Sequence, residues 1–140
     1  MDKENKLIPE LPSGFEDRWG KKLLLKKKLL KAIENNFIKF GAEALETPSF
    51  EIAENIGSFL AEDDDNPMSD VFSIKDGDKN MTLRYDLSSP LARFYAQNNQ
   101  ELPSIFKRYQ IQNVFRNEKA GNGRYREFMQ ADFDIVGNVN

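Results

Sequence analysis

Two long runs, Ile105 to Arg116 and Arg124 to Val136, alternate apolar and polar residues on either side of a short connection, Asn117 to Gly123, that holds two glycines. Period-2 alternation of this length predicts a pair of antiparallel strands, because successive side chains of a strand point to opposite faces. Parity then sorts the residues. Odd positions of the first strand give Ile105, Tyr109, Ile111 and Phe115, and of the second Tyr125, Met129, Ala131, Phe133 and Ile135, an ordinary core face. Even positions give Arg108, Gln110, Gln112 and Arg116 opposite Arg124, Arg126, Phe128, Gln130, Asp132 and Asp134.

The even face therefore collects guanidinium, amide and carboxylate groups around one aromatic ring. A sheet face open to bulk water shows a similar polar set. Two features favour a binding face. Solvated strands commonly use Lys and Glu, whereas Arg and Gln offer fixed, directional hydrogen bonds. The Phe128 ring, moreover, is left uncovered unless something planar stacks on it. Arg meets phosphate bidentately, and amides and carboxylates accept from an ammonium or another N–H donor. The combination suits a nucleotide beside a small zwitterion.

Upstream the patterns are simpler. Leu11 to Phe15 reads as an extended segment. Asp17 to Phe40 is expected to be a helix, with Leu25, Leu29, Ile33, Phe37 and Phe40 at helical spacing, Lys22, Lys26 and Glu34 on the polar side, and Gly41 as the stop. Ala42 to Glu46 reads as an edge strand ending at Pro48, and Phe50 to Leu60 as a second helix. Glu62 to Pro67 is an acidic loop. Val71 to Lys75 and Met81 to Tyr85 flank Asp76-Gly77-Asp78, a hairpin signal. Ser89 is placed to cap, and Pro90 to open, a helix reaching Asn98. The expected fold class is α+β, an antiparallel sheet flanked by helices. Residues 1–10 form a loose terminal segment and 11–140 a single domain.

Composition narrows the chemistry. The 140 residues contain no cysteine and no histidine. Disulfides, thiol nucleophiles, Cys/His zinc sites and the commonest general base are thereby excluded from this stretch, and no metal site of its own is expected. Any catalysis must come from positioning and electrostatics, or from carboxylates and a bound metal. Net charge is −3, yet Lys107, Arg108, Arg116, Lys119, Arg124 and Arg126 crowd one region while Glu51 to Asp70 carries only anions. A local basic patch on an acidic chain points to a specific anionic ligand. No apolar run approaches the roughly 20 residues that cross a bilayer, and the charged start lacks the apolar stretch of a secretory signal.

Phe115-Arg116-Asn117-Glu118 followed by Gly123-Arg124-Tyr125-Arg126-Glu127-Phe128-Met129-Gln130-Ala131-Asp132-Phe133-Asp134 resembles motif 2 of the class II aminoacyl-tRNA synthetases, in its histidyl form. Thr82 to Arg93 resembles the amino-acid-binding segment of the same family. Phe40-Gly41 through Glu46 to Glu51 resembles its motif 1. The three segments occur in the family's order and span roughly Leu11 to Gly137.

The resemblance implies the class II catalytic fold in truncated form, with motif 3 and the anticodon-binding domain absent, and so a piece that is inactive by itself. It implies ATP and Mg²⁺, with Arg116 on the α-phosphate and the histidine carboxylate, Glu118 near the adenine amino group, Arg124 near the γ-phosphate and Phe128 stacked on adenine. Asp86, Ser88 and Gln130 would bind the amino group of histidine, and Asp134 its imidazole. It further implies histidyl-adenylate formation and transfer to tRNA(His), a homodimer built through motif 1, and a cytoplasmic setting. Asp86 and Asp134 stand where many bacterial members carry Glu; the shorter carboxylate accepts the same donors. The alternative is a non-catalytic histidine-binding paralogue, such as the regulatory subunit of ATP phosphoribosyltransferase, whose members tend to lose the nucleotide residues retained here.

Overall fold

The protein was analysed as a computed structural model that describes residues 8–60 and 70–137. The acidic loop expected over Glu62 to Pro67 lies outside them, as do residues 1–7 of the terminal segment. Two three-stranded sheets organise the chain. Strands β5 (Ile105–Phe115) and β6 (Glu127–Gly137) pair antiparallel along their whole length, and β1 (Glu43–Ala44) adds parallel to the other edge of β5. The second sheet places β4 (Lys79–Leu83) between β2 (Phe50–Ile52) and β3 (Ser73–Asp76), both antiparallel to it. The edge strand and the hairpin turning at Gly77-Asp78 are as the sequence predicts.

Arg84 joins the sheets. Its guanidinium, 4% exposed, donates to the carbonyls of Asn113 (2.6 Å) and Thr47 (2.8 Å), while its own carbonyl accepts from Phe115 N–H at 3.0 Å. A buried Arg that satisfies two backbone acceptors at once fixes strand against strand.

Helix α1 (Gly20–Lys39) starts later than expected. Residues 16–19 stay extended because Arg18 bonds Glu16 at 2.7 Å and the carbonyl of Glu127 at 3.3 Å, which holds the segment along the start of β6. The helix ends as predicted. Gly41, at φ +76°, lets its N–H reach Ile38 O (2.9 Å) and Ala42 N–H reach Phe37 O (3.3 Å), the paired bonds of a Schellman end.

Four expectations need correction. The apolar stripe of α1 is not Leu25, Leu29, Ile33, Phe37 and Phe40: Leu25, Leu29 and Phe40 are 66%, 62% and 69% exposed. Leu23, Leu30, Ile33 and Phe37 are half-buried instead, with Phe37 against Tyr109 (5.8 Å between centroids) and Phe133 (5.6 Å). The helix is apolar on more than one side, and the odd face of β5–β6 is wide enough for one strip only. Second, Phe50 to Ile52 is strand and not helix. Glu51 is drawn into the sheet by a two-pronged bond to Arg93 (2.8 and 2.9 Å), and α2 (Ala53–Leu60) begins after it. Third, the first turn of α3 (Ser88–Asn98) is capped by Asp86, whose Oδ1 accepts from Ser89 N–H at 3.1 Å, and not by the Ser89 side chain. An Asp three residues ahead of a free helix N–H makes the stronger, charge-assisted cap.

The fourth concerns the parity argument. Strand β6 begins at Glu127, so Arg124 and Arg126 precede it. Arg126 N–H goes to Gly14 O at 2.8 Å, its guanidinium bonds Asn117 and lies 4.7 Å from the Phe72 ring centroid, and it leaves the even face. Nor is the odd face the better buried one. Phe106, Arg108, Gln110 and Val114, all even, are at most 3% exposed, whereas Ile105 and Ile135 are 46% and 53% exposed. Helix α3 covers the far end of the even face, where Leu45, Leu91 and Phe106 form a core with Phe94 and Val136.

Candidate active site

Cross-strand register sets what meets what on the even face of β5–β6. Val114 faces Phe128, Gln112 faces Gln130, Gln110 faces Asp132 and Arg108 faces Asp134. Moving along this ladder, the chemistry changes from aromatic and cationic to amide and then to carboxylate.

At the first end the Arg116 guanidinium sits between two rings, 4.4 Å from the Tyr85 centroid and 5.1 Å from that of Phe128. Its Nε reaches Tyr85 O at 3.5 Å. Planar stacking holds the fork flat while leaving N–H donors free at its rim. Glu118 stands beside it, accepting from Tyr85 Oη at 3.5 Å and lying 3.4 Å from Arg124 Nε, on an Arg124 side chain that is 69% exposed. Arg116, Glu118, Arg124 and Phe128 line one cavity of about 340 Å³ with Gly123 and Tyr125. The four residues assigned to the nucleotide from the sequence are thus gathered in one place. Phe128 also borders a larger hollow, about 870 Å³, between the start of α1 and β6.

The residues assigned to the amino acid are more dispersed. Gln130 and Asp134 lie along β6. Gln130 Oε1 is buried with no partner, as is Oε1 of Gln110, which leaves acceptors for an N–H donor. Asp86 and Ser88 line a separate hollow of about 600 Å³ beside α3, with Glu54, Asn55 and Arg93. Asp86 nevertheless acts on the ladder, since it joins Asp134 and Asp132 in the field around Arg108. Burial pushes the Asp132 carboxyl above its ordinary value, Asp134 and Asp86 push it further, and Arg108 opposes them. Burial likewise lowers the Arg108 guanidinium below its ordinary value, against the pull of these carboxylates.

Sequence reasoning assigned no role to Tyr85, Arg108 or Asp132. Parity had set the last two on the right face, and their burial was the missing signal. Tyr85 follows β4 in the other sheet, and no pattern within β5–β6 could reveal it.

The profile of the family described as tRNA synthetases class II core domain (F) matches residues 16–140. The chain belongs to this family. Among curated relatives, the Histidine--tRNA ligase of Pelagibacter ubique is 79% identical over all 140 residues, and that of Bartonella quintana 46% identical over 136 residues. The chain spans 30% and 27% of the length of those two proteins. Its fold is similar to a solved histidyl-tRNA synthetase from Nostoc sp. PCC 7120, with a TM-score of 0.78 and 28% identity over 94% of this chain and 29% of that one. A Bacillus halodurans structure, described as an ATP phosphoribosyltransferase regulatory subunit/histidyl-tRNA synthetase, shares the fold with a TM-score of 0.79 and 23% identity, covering 100% of this chain and 35% of that one. Class II synthetases use ATP as a substrate.

Proposed function

We propose that this chain is the part of a histidine–tRNA ligase that holds ATP and histidine for adenylate formation. The observation that carries the reading is the Arg116 fork held between Tyr85 and Phe128, sharing a cavity with Glu118 and Arg124. It lies on the same strand pair as Gln130 and Asp134. A stacked Arg with free donors suits a phosphate, a ring at the cavity wall suits a base, and Glu118 suits an exocyclic amine. Gln130, Asp134, Asp86 and Ser88 supply acceptors for the ammonium and imidazole of histidine.

The histidine carboxylate, ionised at neutral pH, attacks the α-phosphorus and the bond to the β-phosphate bridging oxygen breaks, releasing pyrophosphate. No protein base is needed, which fits a site without histidine. Arg116 offsets charge on the phosphorus and aligns the nucleophile. Mg²⁺ bound with the ATP phosphates would neutralise charge on them, beside Arg116 and Arg124. Transfer of the histidyl group to tRNA(His) follows.

A homodimer is also proposed. Ile38, Phe40, Phe50 and Ile52, in and around the motif 1 segment, are 40–69% exposed, apolar side chains that a second protomer would cover. Among the described residues no helix is long and apolar enough to cross a membrane, and a cytoplasmic setting accords with the proposed substrates. The sensor-type paralogue is disfavoured by Arg116, Glu118, Arg124 and Phe128 standing together.

The test is histidine-dependent ATP–pyrophosphate exchange by the natural protein that carries this sequence. Exchange is expected with histidine and with no other standard amino acid. Tight histidine binding without exchange would favour the sensor instead.

A further inference from the structure

Arg108 is fully buried, while the side chain of its partner Asp134 is 40% exposed. Nη2 lies 2.6 Å from Asp134 Oδ2 and donates to the Leu87 carbonyl at 3.3 Å; Nε and Nη1 are buried without partners. Leu87, itself 0% exposed, sits between Asp86 and Ser88, so one guanidinium ties the sheet ladder to the segment that opens α3. A packed hydrophobe in place of a buried ion pair is often as stable or more so. Stability alone therefore gives little reason for an under-bonded Arg here. Its geometry gives a better one. The pair engages only Oδ2 of a side chain that is 40% exposed, which leaves the other Asp134 oxygen available to a ligand, on the same face of β6 as the orphaned acceptor of Gln130 with Asp132 between them.

We propose that Arg108 is a positioning residue for amino-acid recognition: it holds Asp134 Oδ2 and anchors Leu87, so that the free Asp134 oxygen accepts the imidazole N–H of histidine while the neighbouring Asp86 and Ser88 keep their place at the start of α3. The inference rests on the histidine-activating function proposed above. Arg108 touches no substrate and acts through Asp134 and Leu87. A fixed carboxylate also discriminates, since a side chain without an N–H at that point leaves its free oxygen desolvated and without a donor.

The test is a double-mutant cycle in the natural protein, read by pyrophosphate exchange. Arg108→Met is expected to raise KM for histidine about tenfold to a hundredfold, the span for one hydrogen bond to a charged group, with KM for ATP unchanged. Arg108→Lys, which keeps the charge without the fork, should recover part of that loss. Asp134→Asn with Arg108→Met should be no worse in KM for histidine than Asp134→Asn alone, because the two act as one unit. Should Arg108→Met not fold, the Lys variant carries the same comparison in both Asp134 backgrounds. Additive effects, or a fall in kcat and melting temperature with both KM values unchanged, would overturn the proposal and leave Arg108 a structural residue. Absence of histidine-dependent exchange in the unmodified protein would instead overturn the underlying function, and this inference with it, before any variant is compared.

Discussion

Arg116, just past the end of β5, and Arg108, on the even face of that strand, each have acidic and aromatic or amide neighbours, yet their situations are opposite. Arg116 is half-buried between two rings and borders a cavity. Arg108 is sealed under α3, with one carboxylate and one carbonyl for company. The open end can accept a large, flat, anionic ligand and exchange it with solvent. The closed end can only orient other groups, because nothing reaches its guanidinium. One strand pair thus offers two kinds of cation, and what covers each decides its use. Helix α3 packs where Phe106 and Val136 provide an apolar floor.

If the open end works by electrostatics, Arg116→Ala should have the largest effect in this protein. Pyrophosphate exchange is expected to fall about a hundredfold to a thousandfold, as when an oriented charge donor is removed from an active site. Melting temperature should stay within a degree or so, since no described buried group depends on Arg116. A large drop in stability would erase the distinction between the two ends.

Arg84→Met probes what holds both ends in one frame. The carbonyl of Asn113 would lose its Arg84 donor, and that of Thr47 would keep only Gln112 Nε2 at 3.3 Å. A loss of about 2–4 kcal/mol is expected in denaturant unfolding. Because Arg84 holds the Asn113–Phe115 end of β5, beside Arg116, and stands two residues before Asp86, KM for ATP and for histidine should rise together.

Gly14→Ala acts on the open end alone. A Cβ at Gly14, where φ is +83°, would fall 2.4 Å from Arg126 Cδ and 2.5 Å from Cγ. Arg126 lends its carbonyl to Arg116 N–H at 2.8 Å. The substitution should cost about 1–2 kcal/mol and raise KM for ATP more than KM for histidine.

The smallest effect belongs to Asp132→Asn, and it sharpens the closed end. The Asp132 carboxyl titrates above its ordinary 3.8 in the folded chain, first through burial and then through Asp134 and Asp86. A raised carboxylate favours the folded state below its unfolded value, and that contribution is lost as pH rises through the folded value. The Asn variant should therefore match the parent near pH 3 and become slightly the more stable at neutral pH. Urea midpoints across that range read the difference directly.

Much of this was legible beforehand. Alternation from Ile105 to Val136 predicted the ladder, and Gly41 and the Asp76-Gly77-Asp78 turn marked element ends, because each rests on local backbone preference; Pro90, expected to open α3, is its third residue. What escaped depended on partners distant in sequence. Phe50 to Ile52 became strand because Arg93 and β4 were there to receive it. The face of α1 that meets the sheet could not be chosen from a helix apolar on several sides. Arg108 and Asp132 were on the right face, but only the placement of α3 shows that one is buried and the other pressed. For the site, residue identity singled out four side chains, Arg116, Glu118, Arg124 and Phe128, that the fold gathers at one cavity. Asp86 could not be seen as a helix cap until the first turn of α3 was in place.

The central claim is that the two ends of one sheet face serve two different substrates. Paired KM measurements on Phe128→Leu and Asp134→Asn, in the natural protein and by pyrophosphate exchange, test it most directly. Removing the stacking ring should raise KM for ATP about tenfold, the scale of one base–aromatic contact, and leave KM for histidine unchanged; Asp134→Asn should do the reverse. If either substitution raised both constants alike, or if the two effects were exchanged, the division of the ladder into a nucleotide end and an amino-acid end would be wrong.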